Sequence, residues 1–345
     1  MSDESKPDES RVLPSAMTAP LGTTVPRRAG SIRRTSHIDM LFGGAGADRP
    51  GGLTLDGAAR DLVTHATGQI ETDRAHVHAT VGSGHTLAAL ATTPARAQGD
   101  QLLGLIVAGG FRDAVHRLFP SDVAAGNPLS LLLDDLPVAA LISGYAHLYS
   151  GALPPDQGGY NLKSDICSGW RSEGTMLVAA REHGAIPVPL GPPAPPLEPA
   201  SDPLGWHDIA PLGTGSMRRR RLVDVTVGEQ WEVRAMFRDT HVDTTGEETV
   251  LHEYSLTAVV DPDTSIVLAC DAVPRVLPWV ECPVAAASAT RLVGHHVGEV
   301  RNLVRAELRG TSTCTHLNDL LRSLGDVGTL VATLHTTLAA PPAGG

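Results

Sequence analysis

Thiol, imidazole and carboxylate side chains gather in the last third of this 345-residue chain. His241 and Asp243 come first, His252-Glu253 follow, then Trp279, Glu281 and Cys282, and finally Cys314 and His316. Such groups ligate zinc and other first-row divalent metals, and thiolates also hold iron–sulfur clusters. The spacing is not that of a zinc finger. Thr311, Ser312 and Thr313 are helix-capping types, which places Cys314 in a first helical turn. There, free amides and the helix dipole would stabilise a thiolate. Cys314 and His316 are two residues apart, so both reach one site only if the helix begins late. The expected metal ligands are Cys282, Cys314 and His252, with one position left open. Glu253 or Asp243 is the expected general base for a bound water. Without metal, Cys314 would be the nucleophile and His316 its base. Cys270 alternates with apolar neighbours and reads as core, whereas Cys167 fits either packing or the site.

These residues sit in the second of two similar stretches. Ser31-Ile32-Arg33-Arg34 followed by Ile38-Asp39-Met40 answers Ser216-Met217-Arg218-Arg219 followed by Val223-Asp224-Val225. Arg60-Asp61 answers Arg238-Asp239, and Leu133-Asp134-Asp135-Leu136 answers Leu317-Asn318-Asp319-Leu320. An internal duplication is the reading. The first copy has Ser130 and Leu132 where the second has Cys314 and His316, and it lacks the segment around Cys282.

The second copy reads as strands and then helices. Arg218 to Thr226 and Trp231 to Arg238 are β-type runs, and Asp261-Pro262-Asp263-Thr264 is a turn between two further strands. After Pro283 the pattern becomes helical, with Leu317, Leu320, Leu321 and Leu324 on one stripe. The fold expected is α+β: two related halves, each an antiparallel sheet with helices on one face. Residues 1–30 read as a disordered tail, 31–150 as the degenerate first copy and 151–215 as a connecting segment. That segment carries the proline-rich run between Ile186 and Pro203, an extended linker. Residues 216–338 are the second copy and 339–345 a tail. The run Arg218 to Arg221, matched by Arg33-Arg34, reads as structural.

Composition narrows the class. With 42% hydrophobic and 19% charged residues the chain can build a core. A net charge of −11 argues against a nucleic-acid partner, and four cysteines do not make a disulfide scaffold. The longest apolar run, Leu129 to Tyr145, is broken by Asp134 and Asp135, so no membrane partner is expected. Met1 to Ser10 is acidic and polar, the opposite of a secretory signal, so a cytoplasmic location is expected.

Arg-Val-Leu-Pro-Trp-Val-Glu-Cys-Pro, Arg-Leu-Val-Gly and Thr-Cys-Thr-His-Leu-Asn-Asp, all within Met217 to Leu324, resemble a bacterial domain-of-unknown-function family, number two-eight-eight-nine. The long first half is similar to the form found in high-GC bacteria. The second copy also resembles, more distantly, the scaffold proteins of iron–sulfur cluster assembly and their zinc-binding relatives. His252-Glu253 stands where that family has Cys-Gly-Asp, Cys282 precedes a helix and Cys314 opens a later one. The missing first cysteine implies a zinc-type site rather than a labile cluster. The expected function is therefore a metal-dependent hydrolase or lyase acting on a small organic acid or acyl substrate. A non-enzymatic zinc or iron–sulfur carrier and a cofactor-free thiol enzyme are the alternatives, and a homo-oligomer is compatible with all three.

Overall fold

The computed structural model describes residues 12–42, 52–149, 163–184 and 186–340. Two short strands, β1 (Val12–Pro14) and β2 (Met17–Thr18), come first. A meander follows: β3 (Ser31–Leu41), β4 (Leu53–His65), β5 (Gly68–Val81) and β6 (Leu87–Thr93). After β7 (Val188–Leu190) comes a second meander of β8 (Met217–Thr226), β9 (Trp231–Val242), β10 (Glu248–Val260) and β11 (Val267–Leu277). The expectation of one sheet per half is corrected here. Both meanders lie in a single nine-stranded antiparallel sheet, in the order β2-β11-β10-β9-β8-β3-β4-β5-β6. The join is β3 against β8, paired without a register break from Ser31↔Thr226 to Met40↔Met217. Joining the meanders leaves neither β3 nor β8 with an unpaired edge.

The strands alternate between two covered faces. Val223 and Phe237 pack under helices, whereas their neighbours Leu222 and Met236 pack on the opposite face against Leu197 and Trp206. The helices are α1 (Phe111–Leu118), α2 (Pro120–Ala125), α3 (Pro128–Ile142), α4 (Gly144–Tyr149), α5 (Thr175–His183), α6 (Val300–Glu307), α7 (Thr315–Ser323) and α8 (Val327–Ala339). Pro128 opens α3, and the Asn127 side chain caps it by accepting from the Ser130 amide at 2.9 Å. Leu129 to Leu133 are all buried, as is nearly every other α3 residue. By length and composition Pro128–Tyr149 could cross a membrane, but 78% of its most apolar window is buried inside the protein.

Two aspartates inside that helix show why it belongs to a core. Asp135 pairs with Arg221, and Asp134 is engaged by Arg322, Arg112 and Arg301. The chain of buried pairs runs on through Asp326 to Arg34 and Asp61, and through Asp319 to Arg219 and Asp239. Arg33–Asp224 and Arg218–Asp39 tie β3 to β8 on the other face. The structural reading of the arginine run is supported by this pairing.

The ends of the chain differ from expectation. Residues 12–30, expected within a disordered tail, lie on the molecule: β1 pairs with β7, β2 pairs with the end of β11, and Leu21 packs on the second face. The proline-rich linker is extended but bound, with Leu197 fully buried and Pro193 bridged to Thr249. Scattered apolar residues with no period find the sheet edge and its second face instead of forming an element of their own. Residues 1–11 and 341–345 lie outside the described residues.

Candidate functional site

A pocket of about 290 Å³ opens where α4, the end of β11 and the start of α7 meet. Leu141, Ile142, Tyr145 and Leu148 from α3–α4 form one wall. Cys167 and Trp170 supply another, so part of the connecting segment belongs to the site. Leu277, Trp279 and Cys282 close it from the turn after β11, and Cys314 and His316 from α7. His252 on β10 reaches it from the sheet.

The sheet end of the pocket is its polar end. A bulge between Val250 and His252 sets His252 directly across from Asp239 on β9. His316 stacks on His252 with ring centroids 4.0 Å apart, and Phe237 lies beyond it. One ligand atom each from Asp239, His252 and His316 lie within 4.8 Å of one another. Asp239 is held by Arg219, Nε to Oδ1 at 2.7 Å and Nη2 to Oδ2 at 3.0 Å. Burial opposes ionisation there, but the Arg219 charge prevails and keeps the carboxyl well below the usual range. His252 Nδ1 stands 3.4 Å from Asp239 Oδ2, longer than a good hydrogen bond. Both His252 Nδ1 and His316 Nε2 are buried without a hydrogen-bond partner among the described residues. Burial, with His252 adjacent, also holds His316 in its neutral form.

Thiols line the next stretch of wall. The Gly169, Trp170 and Thr315 amides near Cys167, and the His316 and Leu317 amides near Cys314, favour the thiolate, although neither cysteine side chain makes a capping hydrogen bond. The spacing condition on Cys314 and His316 is met, because α7 begins at Thr315 and Cys314 is its extended N-cap. Cys314 Sγ lies 3.9 Å from His316 Nδ1. The expected activated thiolate is not found. Burial outweighs the amide donors and pushes the Cys314 thiol up to about 12, and burial also raises Cys282 and Cys167. Cys270 is a buried strand residue, as expected, and is likewise pushed up to about 12.

Of the expected ligands, Cys282, Cys314 and His252 share the pocket, and His252 alone belongs to the closest ligand group. Neither expected base reaches it. Glu253 follows His252 on the strand and therefore faces the other side, where Arg238 and the Leu21 amide bind it. Asp243 is half-buried in the β9–β10 turn, accepting from the Thr245 and Glu247 amides. His241 stacks on Tyr149 at 4.4 Å. Asp239, Tyr145 and Trp170 were not singled out by sequence. For Asp239 a signal existed, in the Arg-Asp pair repeated at Arg60-Asp61.

Residues 217–329 match the family described as "Protein of unknown function (DUF2889)". The match covers this segment alone, less than half of the chain. The DUF2889 segment holds Asp239, His252, Cys282, Cys314 and His316, while Tyr145, Cys167 and Trp170 come from outside it. No curated protein and no solved structure matches the chain.

Proposed function

We propose that the protein is a metal-dependent enzyme of small-molecule metabolism, with hydrolytic or lyase chemistry in this pocket. The observation that carries the proposal is the pair of buried imidazole nitrogens without partners, close to an anionic carboxylate that lies behind the His252–His316 wall of the pocket. In the tautomer in which His316 Nδ1 donates to Cys314 Sγ, Nε2 would carry a free lone pair in the group that His316 forms with Asp239 and His252. Two imidazoles and a carboxylate suit zinc or another first-row divalent ion and leave positions open. Ligands at about 2.1 Å from one ion lie at most about 4.2 Å apart, so a small closure of the 4.8 Å group suffices. Such an ion would polarise a carbonyl or activate water. Arg219 would keep Asp239 ionised, and Tyr145, held protonated by burial, would donate a proton to a developing oxyanion or leaving group.

The carrier reading retains support from the three thiols in the wall. The closer approach of the imidazole–carboxylate group favours the enzyme. The raised thiols disfavour the cofactor-free thiol enzyme.

We also infer the internal duplication. In each meander the residue just before the last strand is bridged to the segment that follows it (Thr86↔Ile106, Ile266↔His296), and that segment carries a left-handed glycine (Gly104, Gly294). The bidentate pairs Arg34–Asp61 and Arg219–Asp239 occupy matching places. On this reading the second copy carries the chemistry.

Elemental analysis of protein purified without chelator tests the proposal. About one equivalent of a divalent metal is expected, lost in His252→Ala and His316→Ala and retained in Cys282→Ala. Metal-free protein that takes up none on incubation would contradict it.

A further inference from the structure

The same pocket bears on what the substrate is, and this inference rests on the proposed site. We infer that it takes an apolar, ring-bearing small molecule with a single polar group, rather than an organic acid, sugar or amino acid. Among the described lining residues there is no lysine, arginine, aspartate or glutamate. The buried arginines of the central network are all engaged with carboxylates, and Arg219 is occupied by Asp239. A carboxylate or polyol body would lose its hydration with no compensating partner along the walls.

The walls instead offer flat apolar surface. The chain has only four tryptophans, and two of them, Trp170 and Trp279, line this pocket beside Tyr145. Leu148, Ile186 and Leu277 fill the gaps between the rings. At the mouth Leu141 and Ile166 are exposed, 66% and 43%, although both are large and apolar. An apolar rim on an apolar pocket favours entry of an apolar guest. An apolar cavity of about 150 Å³ holds one benzene, and this pocket has about 290 Å³. Two fused rings are therefore the scale of the body. Hydrogen-bonding groups cluster at the Asp239–His252–His316 end, so the ligand's one polar group points there.

Titration calorimetry on the full chain, with 2-naphthol as probe, tests the inference. One site is expected, at least tenfold tighter than for phenol because the second ring is also buried, and succinate should not compete. Leu148→Trp, which fills the pocket, should abolish binding. Leu141→Trp at the exposed rim leaves the core intact and should weaken binding at least threefold with an unchanged melting temperature. Equal affinity for phenol and 2-naphthol, competition by succinate, or full binding in both variants would overturn the inference. Metal content is measured on the same samples. A metal centre without a naphthol site defeats this inference alone, and a naphthol site in protein that takes up no metal defeats the metal reading alone.

Discussion

His252 illustrates how one residue's role depends on its neighbours. Its ring is fixed by stacking on His316, by the edge of Tyr145 at 5.6 Å and by Asp239 across the strand. The one sequence signal for Asp239, the Arg-Asp pair repeated at Arg60-Asp61, did not mark it as a site residue, because an Arg-Asp dipeptide looks like an ordinary surface pair. Only the fold buries it beside Arg219. Removing it by Asp239→Ala would leave Arg219 buried without its main partner, a loss of about 3–5 kcal/mol, readable as a lowered denaturation midpoint. The thiols were legible by type and not by reactivity. A helix N-terminus activates a thiol when the sulfur is accessible, and Cys314 is only 4% exposed. In folded protein at neutral pH, iodoacetamide should therefore modify Cys314 and Cys270 at similarly slow rates, and both quickly after unfolding. Selective fast labelling of Cys314 would contradict the burial described for it.

Among the elements, the strands of the second half were the most legible. Their alternation and the Asp261 turn are local, and β10 and β11 form as a hairpin around that turn. The helix after Pro283 was read too regularly; Cys282–Leu292 winds as 3₁₀ turns. The bound linker was not legible, because its contacts are set by the sheet face it covers. The chain just after it is anchored by His207, whose Nδ1 meets Thr35 Oγ1 at 2.8 Å and whose Nε2 meets His37 Nδ1 at 2.7 Å. Burial holds His37 down to about 4, with Arg218 and Arg220 opposing its charge and Asp39 and Asp56 favouring it. Burial lowers His207 further still, helped by His37, Arg60, Arg74 and Arg220. An unfolded histidine titrates near about 6.5. The unfolded chain therefore binds more protons below that pH, and stability should fall as pH drops from about 6.5 through about 4. Denaturant midpoints measured across that range check it. His207→Leu should flatten the slope while costing about 1–3 kcal/mol at neutral pH, for the hydrogen bonds left unmade at Thr35 and His37.

For the molecule as a whole, the site belongs to more than the segment that carries its polar residues. The sequence pointed to the second half for site residues, and the proposed centre of Asp239, His252 and His316 draws on that half. Tyr145, Cys167 and Trp170 reach the pocket from the first half and the connecting segment. One sheet, with β3 against β8 and Arg221 held by Asp135, is what brings them together. Pairing across so long a sequence separation is fixed by tertiary register and could not be read from local pattern. The central claim is that an imidazole–carboxylate centre, with the thiols outside it, sits at the inner end of this pocket. Cobalt(II) titration of metal-free, full-length protein, followed by absorbance, tests it most directly. The account predicts saturation at one equivalent, with visible d–d bands and little sulfur-to-cobalt charge transfer in the near ultraviolet. Intense charge-transfer bands would place Cys167, Cys282 or Cys314 on the metal, and an absence of saturable binding would remove the centre altogether.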